Sequence, residues 1–211
     1  MLMFLNPGEW VNCWLWIGRL FMNYLIIGAG VAGISAVREI IKKRKEDDNI
    51  TVITDEFYPF YYRPRLIECL SGEVRIGDII IHDQEWFKNN DIYFKMGETV
   101  KSIIYREKKV ITNKGEYFFD KLLIANGAHC FVPPIKGKGL GNVFALRDAA
   151  DVKRIRKTVE KAEKAAVVGG GLLGLESAYN LMKSGLEVVV VEIMPRLLPL
   201  QLDEKGAEVL R

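Results

Sequence analysis

The pattern Gly-x-Gly-x-x-Gly occurs twice in this chain, at Gly28-Ala29-Gly30-Val31-Ala32-Gly33 and at Gly169-Gly170-Gly171-Leu172-Leu173-Gly174, each time between an apolar run and a helical pattern. Such a turn suits one ligand chemistry. A diphosphate is bulky and doubly charged, so it needs backbone N–H groups that only a glycine turn brings close, and the positive end of a helix dipole. The third glycine lets helix and strand pack tightly. Around the first turn, Tyr24 to Ile27 reads as a buried strand and Ile34, Val37, Ile40 and Ile41 mark a helix to about Lys43. Ile50-Thr51-Val52-Ile53 is the next strand. Around the second turn, residues 165–168 read as a strand, 172–183 as a helix stopped by Gly185, and 187–192 as a strand. This βαβ unit is the one internal repeat, its copies about 140 residues apart. It predicts an α/β fold with two Rossmann-like dinucleotide-binding domains.

An acid at the end of the following strand should hold a ribose hydroxyl. Asp55 and Glu56 stand there in the first unit, 27 and 28 residues after Gly28, beyond the usual gap of about 20 because the turn after the helix is long and charged. Glu192 stands there in the second, 23 residues after Gly169. An acid favours a free ribose hydroxyl and hence NAD(H); NADP(H) would want an Arg for its 2′-phosphate. Arg196 lies four residues on, so NADP(H) stays the less favoured alternative. With two dinucleotide sites in one chain, one nucleotide can hold a flavin while the other shuttles as nicotinamide.

The rest of the chain fits between these units. Residues 57–65 are aromatic and proline-marked and read as an irregular loop, and 66–70 as a helical turn ending near Gly72. Gln84 to Asn89 reads as a short helix, and 92–94 and 99–105 as strands. Residues 110–112 and 117–119 flank a hairpin turn at Asn113-Lys114-Gly115. Residues 121–125 read as another buried strand, and Asp148 or Asp151 should cap a charged helix to about Lys161. A last helix should run over 203–211. Pro133, Pro134, Gly137, Gly139 and Gly141 mark the domain boundary, giving domains over 22–140 and 141–211. Residues 1–21 are unlike the rest. They hold Trp10, Trp14 and Trp16, and Met22 directly precedes the first strand, so we expect the fold to start there. A membrane-surface anchor is the rival reading. Pro7, Gly8, Glu9 and Arg19 keep the stretch short of the roughly 18 to 20 apolar residues that span a bilayer.

Composition excludes several classes. A net charge of +3 with no basic face argues against nucleic acid. The run Lys42-Lys43-Arg44-Lys45 is followed by acids and reads as a solvated helix end. Cys13, Cys69 and Cys130 form no close pair, which argues against a disulfide scaffold or zinc knuckle and fits a reducing cytoplasm. Cys69 reads as a semi-buried apolar residue, and His82 and His129 as surface or hydrogen-bonded residues, with no metal site expected. Tyr58, Phe60, Tyr61 and Tyr62 either shield a flavin or pack under their loop.

The order of GAGVAG, then LLIANGA over 122–128, then VVGGGLLGLE over 167–176 resembles the pyridine nucleotide–disulfide oxidoreductase superfamily. The stretch YPFYYRPRL over 58–66 is similar to NADH:rubredoxin oxidoreductases and to the flavin region of NADH-dependent nitrite reductases. The resemblance covers residues 22–211. It implies FAD on the first glycine turn and NAD(H) on the second. It further implies that Arg63 lies against the FAD phosphates or ribose, that Val100 offers its backbone to the adenine, that Ala125 and Gly127 line the flavin, and that Glu176 sits near nicotinamide and flavin. In that family both domains are of the three-layer ββα type, the nicotinamide domain continues past position 211, and the chain then returns to finish the flavin site, so the resemblance implies a truncated second domain and a first domain without its return segment. Three departures stand out. Asn126 replaces a threonine and should take over its hydrogen bonds; Glu68 stands where many ferredoxin reductases carry a lysine; and the redox cysteines are absent, the single-cysteine position near 57–61 included.

Without a catalytic thiol, the expected chemistry is electron relay with no side-chain acid or base. Hydride passes from NADH to FAD, and electrons go on to a small carrier, rubredoxin or another iron–sulfur protein. The flavin region of an NAD(P)H nitrite reductase and a nucleotide-binding or redox-sensing module without turnover are the alternatives.

Overall fold

A computed structural model describes residues 21–210, so the expectations for the first twenty, Cys13 and three tryptophans included, lie outside the described residues. In chain order the elements open with β1 (Asn23–Ile27), α1 (Val31–Lys43), β2 (Asn49–Ile53), β3 (Phe60–Tyr61) and β4 (Ile80–His82). Next come α2 (Gln84–Asn89), β5 (Ile92–Lys95), β6 (Val100–Ile104), β7 (Lys109–Thr112), β8 (Glu116–Phe118) and β9 (Lys121–Ile124). The last are α3 (Ala149–Val159), β10 (Lys164–Val168), α4 (Leu172–Lys183), β11 (Glu187–Val191) and α5 (Glu204–Leu210). Contacts group these into two compact units. Among the described residues the first holds Phe21–Asp55 together with Gln84–Asn126, and the second holds Glu56–Asp83 together with Gly127–Leu210.

The first unit is built on a parallel sheet in the order β5-β2-β1-β9. Its layers follow from the two-residue period of a strand. Leu25 and Ile27 of β1 join Ile53, Val110 and Phe119 in one cluster, which seats the antiparallel β6-β7-β8 meander on one face of the sheet. Ile26, between them, faces α1, with its Cγ2 3.3 Å from where a Cβ on Gly33 would sit. Meander, sheet and helix are thus the three layers expected. Burying each of these side chains contributes about 1.5–3 kcal/mol.

The second unit contains the parallel pair β10-β11, joined by α4. Val159 of α3 and Leu181 of α4 pack with Leu186, Ala165, Val167 and Val188 over one face of the pair. Asp148 caps α3 by a capping box: its side chain accepts from the Asp151 N–H at 2.9 Å, and the Asp151 carboxylate accepts from the Asp148 N–H at 3.1 Å. A separate cluster in this unit holds Tyr61, Leu66, Cys69 and Ile79 against Ala149 and Val152 of α3.

Two readings change. The stretch 57–65 is more ordered than an irregular loop: β3 pairs with β4, and tight turns follow at Arg63–Leu66, Glu68–Leu70 and Ile76–Ile79. β9, expected to be buried, is the edge of its sheet, and Leu123 and Ile124 are 38% and 58% exposed among the described residues.

Candidate dinucleotide sites

Both glycine turns fold as a strand-to-helix bend. Gly28 takes φ +105°, and its N–H donates to Ile53 O at 2.7 Å. Gly169 takes φ +112°, and its N–H donates to Val191 O at 2.8 Å. Each first glycine thereby locks the turn to the neighbouring strand in a conformation that side chains disfavour. Gly30 and Gly171 are the N-cap residues of α1 and α4. Neither helix is capped through a side group or carries an acid in its first turn, so the leading N–H groups keep no partner from those usual sources. The mouths are open: Val31, Leu172 and Leu173 are 73%, 59% and 68% exposed. A Cβ on Gly30 or Gly171 would meet nothing within 4 Å, leaving room for a phosphate where a larger residue would intrude. A Cβ on Gly33 or Gly174, by contrast, would collide with the carbonyl oxygen of Gly28 or Gly169. The two outer helical glycines therefore serve packing, and the middle ones serve access. The residues between share these turns: Ala29 lies in the first bend, and Ala32 is exposed on the first helical turn.

The acids behave differently in the two units. The Glu192 carboxylate folds back on its own turn, accepting from the Gly170 N–H at 2.6 Å and the Met194 N–H at 2.8 Å. The Met194, Gly170 and Ile193 amides hold its pKa below the usual carboxylate value. It thus stands charged beside the second turn. In the first turn's βαβ unit, Asp55 is exposed just past β2. Glu56, in the second contact unit, is engaged: it accepts from Arg63 Nη2 at 2.5 Å and from the Tyr61 hydroxyl. Arg63 also donates to Arg147 O at 2.7 Å and covers the Tyr61 ring at 5.1 Å. Burial opposes the Arg63 charge, but the bond to Glu56 and the nearby Tyr61, Glu56 and Asp148 outweigh it and raise its pKa. Burial, then the Glu56 bond, drive the Tyr61 phenol far upward.

The remaining predicted residues fall at defined places. Val100 opens β6, opposite Thr112. The Ala125 N–H donates to Ile27 O at 2.7 Å, and its carbonyl abuts Gly28. Glu176 is exposed on α4. Gly127 takes φ +71°, and a Cβ there would sit 2.9 Å from Arg147 Nη2. Arg147 is the residue that sequence reasoning missed: its carbonyl holds Arg63, and its guanidinium lies over Gly127. Its only signal was a cation directly before the capping residue Asp148. The Asn126 side chain is exposed and makes no hydrogen bond among the described residues, so the bonds expected of it have no partner there. Cys69 is buried, its thiol pushed up by burial and then by Glu68, which removes it from nucleophilic chemistry near neutral pH. Among the described residues no three His, Cys, Asp or Glu side chains could hold a metal, and no helix is long and apolar enough to cross a membrane.

The family model described as pyridine nucleotide-disulphide oxidoreductase matches residues 22–211. The nitrite reductase [NAD(P)H] of Bacillus subtilis is 36% identical over 188 residues, covering 89% of this chain and 23% of that protein. The NADH-rubredoxin oxidoreductase of Clostridium acetobutylicum is 36% identical over 183 residues, covering 86% of this chain and 47% of that protein. The solved NAD-dependent persulfide reductase from A. fulgidus superposes with a TM-score of 0.81 at 32% identity, over 90% of this chain and 37% of that one. The chain thus spans less than half the length of these relatives.

Proposed function

The chain belongs to the pyridine nucleotide-disulphide oxidoreductase family, and from that premise we propose that it is an FAD-dependent NADH oxidoreductase that relays electrons to a small protein carrier such as rubredoxin or another iron–sulfur protein. The observation that carries this reading is the pair of uncapped helix starts, each behind a glycine turn with open space at its middle glycine. FAD belongs on the turn over 28–33, with Asp55 on its ribose, Val100 at its adenine, and Ala125 and Gly127 along the flavin. Arg63 takes the phosphates or ribose, and Glu56 acts through Arg63 by fixing its guanidinium. NADH belongs on the turn over 169–174, with Glu192 on the ribose and Glu176 by the nicotinamide.

When bound, the flavin supplies the hydride acceptor and the one-electron steps that amino-acid side chains do not. The protein's own task is to bind and orient. The leading N–H groups of α1 and α4 neutralise the diphosphates, and Glu192, held charged by three amides, accepts ribose hydroxyls while repelling a 2′-phosphate. Cys69 takes no part, since burial holds its thiol protonated. Among the described residues the cysteines Cys69 and Cys130 are free, which fits a reducing cytoplasm. The likeness to nitrite reductases supports a second reading, the flavin region of an enzyme reducing nitrite. Anaerobic addition of NADH to the FAD-loaded protein should bleach the visible flavin bands, and rubredoxin or ferredoxin, added next, should restore them. A protein that takes up NADH but no flavin would be reduced to a nucleotide-binding module.

A further inference from the structure

The sequence contains a single Asn-Gly step, Asn126-Gly127, directly after β9. Both residues are exposed, and among the described residues neither the Asn126 amide side chain nor the Gly127 N–H makes a hydrogen bond. Gly127 has no side chain to hinder approach to its nitrogen and sits at φ +71°. A Cβ on it would lie 2.9 Å from Arg147 Nη2, so a guanidinium stands against this backbone position. We propose that Asn126-Gly127 is a self-modifying site, at which the native protein deamidates to aspartate and isoaspartate with assistance from Arg147.

The step balances with water alone. The Gly127 nitrogen loses its proton and attacks the Asn126 Cγ. The new N–Cγ bond closes a succinimide, and the bond from Cγ to the Asn126 amide nitrogen breaks, releasing ammonia that carries the proton away. Water then opens the ring at either carbonyl. One opening leaves aspartate; the other routes the backbone through the former side chain and adds a methylene to it. Nothing is oxidised or reduced. Loss of the Gly127 proton starts the sequence, and a cation beside this position favours the anionic nitrogen. Either product places a new carboxylate directly between Ala125 and Gly127.

The measurement is peptide mass spectrometry on the intact folded protein aged at mildly alkaline pH, beside the same protein aged in denaturant. The tryptic peptide over 122–136 should gain the mass of an amide-to-acid exchange, with an isoaspartyl form, at a native rate within about tenfold of the denatured one, since the site needs no opening to react. Asn126→Ser should abolish the gain in both. Arg147→Gln should slow the native reaction and leave the denatured one unchanged. Native protein that keeps its amide while the denatured form loses it overturns the proposal, and an unchanged native rate in Arg147→Gln removes the assistance. The comparison of native with denatured wild-type protein stands without either variant.

Discussion

The glycines of the two turns do different work, and single substitutions separate it. Gly171→Ala adds a methyl group into open space at an N-cap, so it should change folding stability by less than about 1 kcal/mol. It should nevertheless weaken NAD(H) binding by about 1–3 kcal/mol, because the methyl group stands off a phosphate and leaves N–H groups unpaired. Gly174→Ala pushes a methyl group into the Gly169 carbonyl and should cost about 1–3 kcal/mol of stability or more. Urea unfolding and NAD+ titration of the two variants should therefore give opposite patterns; equal losses of stability would contradict the division of labour. Glu192 carries a second prediction. Its pKa is lowered in the folded protein, first by the Met194 amide and then by those of Gly170 and Ile193. A depressed carboxylate contributes stability that is fully present above its ordinary value of 4.5 and is lost as pH falls through the lowered folded value. Glu192→Gln should therefore lose some stability at neutral pH and flatten the urea-unfolding stability curve between 4.5 and that lower value, and at neutral pH it should relax the preference for NADH over NADPH.

Elements with a strong local signal were legible. The helices over Val31–Lys43, Gln84–Asn89 and Leu172–Lys183 end where apolar spacing and flanking turn residues put them, because caps and periodicity are local properties. β3 and β4 were not legible. Their pairing joins Phe60 to His82 across an intervening stretch with no alternation, and only tertiary contact selects it. β9 misled for a related reason: its apolar run reads as buried, but burial depends on which strands flank it, and one of its sides is an edge among the described residues. The meander shows what a local pattern hides. Its hairpin turn was readable at 113–115, but not the buried Glu98, which accepts from the Thr112 hydroxyl at 2.5 Å and bonds Tyr117. Burial and then this carboxylate push the Tyr117 phenol up to about 12 from an ordinary 10.0. A raised pKa contributes stability that is complete below the ordinary value and disappears as pH rises through the folded one. The wild-type protein should thus lose stability between those two values, and Tyr117→Phe should lose less there, read by alkaline unfolding curves. A helix-level test lies at α3, where Asp148→Ala removes the capping box and should cost about 1 kcal/mol in urea unfolding.

For the whole molecule, the grouping of Glu56–Asp83 with the chain after Gly127 was invisible in the sequence. It rests on bonds between residues far apart in the chain. The Tyr61 hydroxyl accepts from the Ala149 N–H at 3.3 Å, Arg63 donates to Arg147 O at 2.7 Å, and Arg156 donates to Leu70 O at 3.0 Å. Lys183 pairs with Glu73. No periodicity encodes such pairs, whereas the two glycine turns were fully encoded. Each turn is local to its own unit, so each nucleotide should stabilise its own turn first. Ligand bound to the native state alone adds about 2.7 kcal/mol at a hundred times its Kd, and hydrogen exchange reports where that protection falls. NAD+ added to the protein should slow exchange at β10, at the start of α4 and at β11, and leave the amides of residues 28–33 unchanged. FAD should protect residues 28–33 and the start of α1 and leave 169–174 unchanged. The contrast depends on nothing but the two helix starts being separate anion sites. Protection of both turns by either nucleotide, or of neither by FAD, would leave one dinucleotide site in place of two, and electron relay within this protein would have no second partner.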